Sequence, residues 1–230
     1  MPGGGFSIPR NSYICLRQQA RSEDAVNEIS WGRKTKDSKR QQKLKRRVLL
    51  DTAAHEFTTK GYSETSINDL ADLLDVSKPA LYYYVKNKED ILLQCVEISL
   101  ELIMDIFERV NDLALSGIER VRAYFQNYAT ICTGDYGYAL IREGNKHLGP
   151  ENKAKMRKIM EKGQEAVEGL IDAGVKEGSI APCEAKYVAY VLFSTFNQMA
   201  FWYSPEGDKS EAEIADQLLK IVFSGIEPRK

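Results

Sequence analysis

Three consecutive tyrosines, Tyr82, Tyr83 and Tyr84, stand between Lys78 and Lys88 in this chain. On a helix, neighbours at i, i+1 and i+2 point about 100° apart, so all three cannot lie in one core. Leu81 and Val85, four apart, should face inward with Val76, which leaves Lys78, Ala80 and the three tyrosines outside. The helix that carries them is expected over about Lys78 to Val85. Ammonium groups and phenols in one exposed patch suit a nucleic acid. The phenol can bond a phosphate oxygen, its ring can touch a thymine methyl, and Lys meets phosphate charge.

The elements that must position this patch are written locally. Ser66 precedes Ile67, Leu70, Ala71 and Leu74, an i, i+3, i+4, i+7 series, and Asp69 completes a capping box with it. Asp75-Val76 breaks that helix, and Ser77 can cap the next one with Pro79 in its first turn. Asn87 and Asp90 repeat the capping-box spacing ahead of a long third helix. Two short helices joined by a tight turn form a helix-turn-helix, whose second helix enters the DNA major groove. Before it, Leu49, Ala53 and Phe57 recur at i+4 on a helix from Leu44 to Lys60, with Gly61 as its stop.

These residues also carry a family resemblance. Phe57, Gly61-Tyr62, Thr65-Ser66-Ile67, Leu70-Ala71, Val76-Ser77, Leu81-Tyr82 and Lys88-Glu89 resemble the amino-terminal domain of TetR-family transcription regulators, over roughly residues 44 to 92. The departure is Asp75, where the family usually has Gly; the turn there should need φ > 0, which Asp tolerates at some cost. The resemblance implies that Tyr82, Tyr84 and Lys88 contact phosphate, that Tyr83 lies near bases, and that Lys78 and Ala80 read base edges. Thr65, Ser66 and Ser77 complete the DNA-binding set it implies.

The distribution of charge agrees. Net charge is −1, but residues 1–47 hold 12 Lys/Arg against 4 Asp/Glu, a net of +8, and the remainder nets −9. A basic amino end on an acidic body points one end at phosphates. Residues 33–47 (RKTKDSKRQQKLKRR) read as a DNA-facing arm that gains affinity by releasing counterions, with some minor-groove reading open to it. The expected organisation is a disordered, partly basic stretch over 1–43, a helix-turn-helix domain over 44–90, and a helical effector-binding and dimerisation domain over 91–230. The expected class is all-α.

Downstream, helices are expected over Lys88 to about Asn111, 118–133, Ala139 to Leu148, Glu151 to about Lys176, 183–203 and Ser210 to Ser224, with Gly134–Gly137 and Gly178–Pro182 as breaks. Residues 183–203 are apolar on every side, so one face needs the core and another a partner. By resemblance, 183–203 and 210–224 are the family's four-helix dimer pair, and the 88–111 helix transmits ligand binding. A homodimer also suits a pseudo-palindromic double-stranded DNA operator, which presents two half-sites about 34–36 Å apart.

The same resemblance implies a small effector in the carboxy-terminal domain. Asn197 through Trp202-Tyr203-Ser204-Pro205-Glu206-Gly207 resembles regulators that respond to acyl-CoA thioesters, although the usual partner Trp near the Asn is missing. On that reading an acyl chain lies among Tyr128, Phe193, Phe196 and Trp202, near Asn197, and Arg142 or the 153–158 basic cluster meets the CoA phosphates. Another hydrophobic effector fits the residues equally.

Composition excludes other classes. Cys15, Cys95, Cys132 and Cys183 form no C-x-x-C, and with only His55 and His147 beside them no metal site is expected. There is no Gly-rich phosphate loop and no G-x-S-x-G elbow, so neither an enzyme nor a cofactor is expected. No apolar run approaches about 18 residues, and the expectation is a cytoplasmic protein with no membrane partner. Two functions follow: a homodimeric repressor released from DNA by a small hydrophobic effector, or a DNA-binding factor of the same fold that answers to no metabolite.

Overall fold

The computed structural model describes residues 39–226. Expectations for 1–38, including the first part of the basic arm, lie outside the described residues. Within them the chain is all-α, without a strand. It divides into two compact units, Met1–Ile91 and Leu92–Lys230.

The first unit holds α1 (Lys39–Thr59), α2 (Ile67–Leu73), α3 (Lys78–Leu81) and the start of α4 (Lys88–Asn111). Leu49, Ala53, Phe57, Leu70, Leu81, Val85 and Ile91 form its buried centre. α1 begins five residues before the expected Leu44, so Lys39–Lys43 are helical and not disordered. The physical reason is legible afterwards: no capping residue or Pro stands at 43–44, while Lys, Arg and Gln are good helix formers. Gly61, at φ 93°, reverses the chain after α1.

α2 opens on a complete capping box. The Asp69 N–H donates to Ser66 Oγ at 3.1 Å and the Ser66 N–H to Asp69 Oδ2 at 2.7 Å. It closes on a Schellman motif, with Val76 N–H donating to Ala71 O at 2.9 Å and Asp75 N–H to Asp72 O at 3.2 Å. The left-handed position of that motif falls on Asp75, at φ 51°, as the sequence requires.

α3 is shorter than expected. It ends at Leu81, and Tyr82–Tyr84 continue as a turn in which the Tyr84 N–H donates to Leu81 O at 2.8 Å. Three aromatic residues in a row lose side-chain freedom in an α-helix, and a tighter turn satisfies the last carbonyl instead. Ser77 sits at the N-cap, but its side chain makes no capping bond. Asn87 Oδ1 caps α4 by accepting from Asp90 N–H at 2.8 Å, while Asp90 Oδ2 accepts from Lys86 N–H at 2.8 Å.

The second unit contains the rest of α4, then α5 (Gly117–Cys132), α6 (Asp135–Tyr138), a π-helical turn (Ala139–Gly144), α7 (Asn145–His147), α8 (Pro150–Glu177), α9 (Ala185–Trp202) and α10 (Glu211–Phe223). Thr133 and Gly134 alone interrupt the chain after α5; Asp135–Gly137 of the expected break over Gly134–Gly137 are helical. The stretch expected as one short α-helix from Ala139 is π-helical to Gly144, a hydrogen-bond shift that composition does not encode.

α5 and α8 touch at their backbones. A Cβ on Gly117 would lie 2.4 Å from Gly174 Cα, so only Gly fits the crossing. The start of α5 is finished by the end of α8 and the loop after it: Gly117 N–H donates to the Glu177 carboxylate and Ile118 N–H to Ser179 Oγ. An aromatic cluster fills the space between α5 and α9, with the Phe125 ring 5.0 Å from that of Phe196 and 5.2 Å from that of Phe193.

Candidate nucleic-acid interface and effector cavity

The recognition segment presents Lys78, Tyr82 and Tyr83 together on the surface, with Tyr83 68% exposed. Exposure of a large ring at that level adds little packing and leaves much of its face open to solvent. Ala80 and Tyr84 are half-buried, so Tyr84 belongs to this patch only in part. Its ring stands edge-on to Tyr83 at 5.0 Å and helps fix that neighbour. Ser66 and Ser77 are exposed at the two helix starts.

Thr65 departs from the expected set. It is 1% exposed, and its hydroxyl donates to Gly61 O at 3.0 Å, so it closes the loop before α2 and offers DNA no side chain. Lys88 is half-buried; its Nζ donates to Ser63 O at 3.2 Å and lies 4.3 Å from the centre of the Tyr62 ring. Burial lowers its pKa from the usual ammonium range.

One contact was absent from the sequence reading. Gln42 Nε2 donates to Tyr83 Oη at 3.1 Å across forty-one positions of sequence. It exists because α1 extends back through the basic stretch. The same extension sets Lys39, Lys43 and Arg46 at i, i+4 and i+7, all exposed and on one face. The missing capping signal at Leu44 was the clue that could have found it.

In the second unit, a cavity of 320 Å³ opens among α4, α5, the π-helical turn, α8 and α9. Leu100, Ile103, Met104, Leu140 and Phe193 give it an apolar wall. Of the expected ligand residues, Tyr128, Phe193 and Asn197 line it. Tyr128 donates to Asn197 Oδ1 at 2.7 Å, so the amide inside this apolar helix has a protein partner. Arg157, from the expected 153–158 basic cluster, also lines the cavity.

The other three expected residues stand elsewhere. Phe196 is fully buried behind the wall against Phe125. Arg142 is held by rings, with its guanidinium 4.5 Å from the centre of Tyr138 and 5.1 Å from that of Phe201. Trp202 is 52% exposed at the end of α9. The resemblance to acyl-CoA-responsive regulators set Phe196 and Trp202 around an acyl chain and Arg142 at its phosphates, but at 100° per residue Phe196 and Trp202 leave α9 in other directions, and Arg142 sits on the π-helical turn. Tyr124 on α5 also lines the cavity and, like Leu100, Ile103, Met104 and Leu140, was not in the expected set. Burial pushes the phenols of Tyr124 and Tyr128 and the thiol of Cys132 well above their ordinary pKa values, so all three stay protonated donors.

Among the described residues no group of His, Cys, Asp and Glu could hold a metal ion, and no helix is long and apolar enough to cross a membrane.

Comparison with known proteins places both units. Residues 49–95 match the family model of bacterial regulatory proteins of the tetR family, and 114–226 match that of tetracyclin repressor-like C-terminal domains. The HTH-type transcriptional repressor KstR2 of Rhodococcus jostii is 27% identical over 189 residues, which is 79% of this chain and 91% of that one. The crystal structure of the TetR-family regulator PfmR from Thermus thermophilus superposes with a TM-score of 0.71 at 27% identity, over 78% of this chain and 99% of PfmR. AibR, solved in complex with isovaleryl coenzyme A and operator DNA, has the same fold at a TM-score of 0.70 and 24% identity, over 77% of this chain and 97% of AibR. This chain belongs to the TetR family of helix-turn-helix, DNA-binding transcription regulators.

Proposed function

We propose that the protein is a homodimeric transcriptional repressor that leaves a pseudo-palindromic operator when a small hydrophobic effector enters the cavity of the second unit. The observation that carries the DNA-binding part is the surface formed by Lys78, Tyr82 and Tyr83 at the second helix of a helix-turn-helix. Tyr83 reads base edges, Tyr82 and Lys88 meet phosphates, and the exposed basic face of α1 adds affinity without sequence preference. A helix-turn-helix domain that includes all of α1 from Lys39, followed by a helical domain after Ile91, suits this division of labour.

Dimerisation is supported by α9 and α10. Both bury one side in the second unit and leave large apolar side chains outside, among them Tyr187, Val191 and, at 69% exposure, Ile221. An unpaired apolar surface on two adjacent helices suits an isologous contact between two copies.

An effector is supported by the cavity, which is enclosed by apolar and aromatic side chains with a few polar groups. Its volume suits an acyl chain or small ring and not a nucleotide. An acyl-CoA fits only with its nucleotide outside, toward Arg157. The AibR complex shows that one protein of this fold holds both an acyl-CoA and operator DNA. A full switch from 1:99 to 99:1 requires the effector to prefer the released state by about 10⁴-fold.

The test takes an operator selected from random DNA and titrates wild type and Tyr83→Ala in gel shifts. Specific binding should weaken more than binding to unrelated DNA; an equal loss on both would remove Tyr83 as a base reader. Thermal-shift screening against acyl-CoAs and free acids, followed by loss of the gel shift, tests release. Silence across that panel removes the acyl-CoA reading.

A further inference from the structure

The cavity contains two near-parallel phenols one helical turn apart. Tyr124 and Tyr128 stack with ring centres 5.8 Å apart and planes 13° from parallel. Tyr128 uses its hydroxyl on Asn197. The hydroxyl of Tyr124 is buried, finds no protein partner, and belongs to a side chain only 1% exposed that lines the cavity.

Packing does not account for that oxygen. A Phe at 124 would keep the ring contacts with Phe125, Tyr128 and Phe193. An unmatched buried hydroxyl costs folding free energy, and native structures retain such groups where they have another use. Asn197 Oδ1 accepts from Tyr128, and its amide nitrogen provides a second donor on the same wall. The cationic side chain of the lining, Arg157, is exposed on α8, and Glu161 stands exposed one turn after it. The buried end of the cavity therefore has donors without a cation. A carboxylate there would lose its hydration with no opposite charge to compensate.

We infer that Tyr124 donates a hydrogen bond to the effector, and that the buried part of the effector carries an uncharged carbonyl on a compact apolar body. This inference rests on the effector reading given above and narrows its chemistry. Free acids, hydrocarbons and alcohols of the same shape are disfavoured, while ketones, esters and thioesters are favoured. Arg157 then meets whatever charge the effector keeps outside.

The test uses near-isosteric probes with the full chain and no DNA: acetophenone, isopropylbenzene and benzoate, with 2-heptanone against heptane as an aliphatic pair. Calorimetric Kd values are measured for wild type and Tyr124→Phe, and the Tm of each is taken without ligand. Wild type should bind at least one ketone about tenfold more tightly than its hydrocarbon, the size of one net hydrogen bond. Tyr124→Phe should lose that preference while its ligand-free Tm stays level or rises, because the variant removes an unmatched hydroxyl and no contact. Equal binding of ketone and hydrocarbon, tightest binding of benzoate, a preference retained in Tyr124→Phe, or no binding of any probe would each overturn the assignment. The two readings fail separately. A ketone bound with this preference that leaves the operator gel shift unchanged counts against release but not against Tyr124. Release by an acyl-CoA without any ketone preference does the reverse.

Discussion

Tyr128 on α5 and Asn197 on α9 are joined by a 2.7 Å hydrogen bond in a setting otherwise made of rings. The bond ties two walls of the cavity to each other and fixes the orientation of the amide. Tyr128 is buried and Asn197 half-buried, so loss of the bond costs most at the tyrosine.

Tyr128→Phe should destabilise the second unit by about 1–2 kcal/mol, because half-buried Asn197 Oδ1 keeps only the weak thiol donor of Cys132 at 3.9 Å. A double variant, Tyr128→Phe with Asn197→Leu, should recover part of that loss. Urea unfolding midpoints check both; a single variant as stable as wild type would mean that the bond carries no energy.

The left-handed residue after α2 gives a prediction of opposite sign. Asp75→Gly removes the strain at φ 51° and should raise stability by about 0.5–1 kcal/mol, read as an increase in Tm. Asp75→Val should lower it, since a β-branched side chain tolerates that region worst. A Gly variant that melts below wild type would show that the Asp75 carboxylate contributes more than its backbone costs.

The capping box of α2 and the Ser116–Glu119 and Ser210–Glu213 pairs that open α5 and α10 predict a pH dependence. Hydrogen bonds from Ser66, Ser116 and Ser210 hold the carboxyls of Asp69, Glu119 and Glu213 below their usual pKa. The native state therefore binds fewer protons than the unfolded chain around these values. Their stabilisation is complete above the ordinary glutamate value of 4.5 and is lost as pH falls through and below it. Denaturation midpoints between pH 6 and 3 should fall less steeply in the triple variant Asp69→Asn, Glu119→Gln, Glu213→Gln. Identical slopes would show that the caps titrate as they do in the unfolded chain.

The basic face of α1 and the recognition tyrosines should separate in salt titrations. Lys43→Ala should weaken binding to every sequence alike and reduce the slope of log K against log salt by about 0.9, one phosphate contact. Gln42→Ala should leave that slope unchanged and weaken operator binding by a few-fold, because Tyr83 loses the bond that holds its hydroxyl. A change of slope in Gln42→Ala, or none in Lys43→Ala, contradicts this division.

What could be read from the sequence follows from how local each cause is. The start of α2 at Ser66 needs only residues three apart, and the φ > 0 position at Asp75 follows from one departure in a dense motif. Both appear in the structure as expected. The end of α3 was less legible, because Tyr82–Tyr84 fit the periodicity of a helix while their side chains favour a tighter turn. The cavity was legible in its composition and not in its membership. Phe196 and Asn197 are adjacent in sequence, yet one lies sealed behind the wall and the other lines it. Whether the hydroxyl of Tyr124 meets a partner depends on α9, which lies some seventy positions away.

The contact of Gly117 with Gly174 has a consequence for leverage. With no Cβ between them, the backbones of α5 and α8 approach more closely at that crossing than helices packed ridge into groove. Seventeen residues of α8 separate Gly174 from Arg157, an arm of about 25 Å at 1.5 Å per residue. A rotation of about 5° at the fulcrum displaces Arg157 by roughly 2 Å, while Tyr124, seven residues from Gly117 on the short arm, moves by less than 1 Å. A tilt about the glycine pair would therefore carry the mouth of the cavity more than twice as far as its donor end.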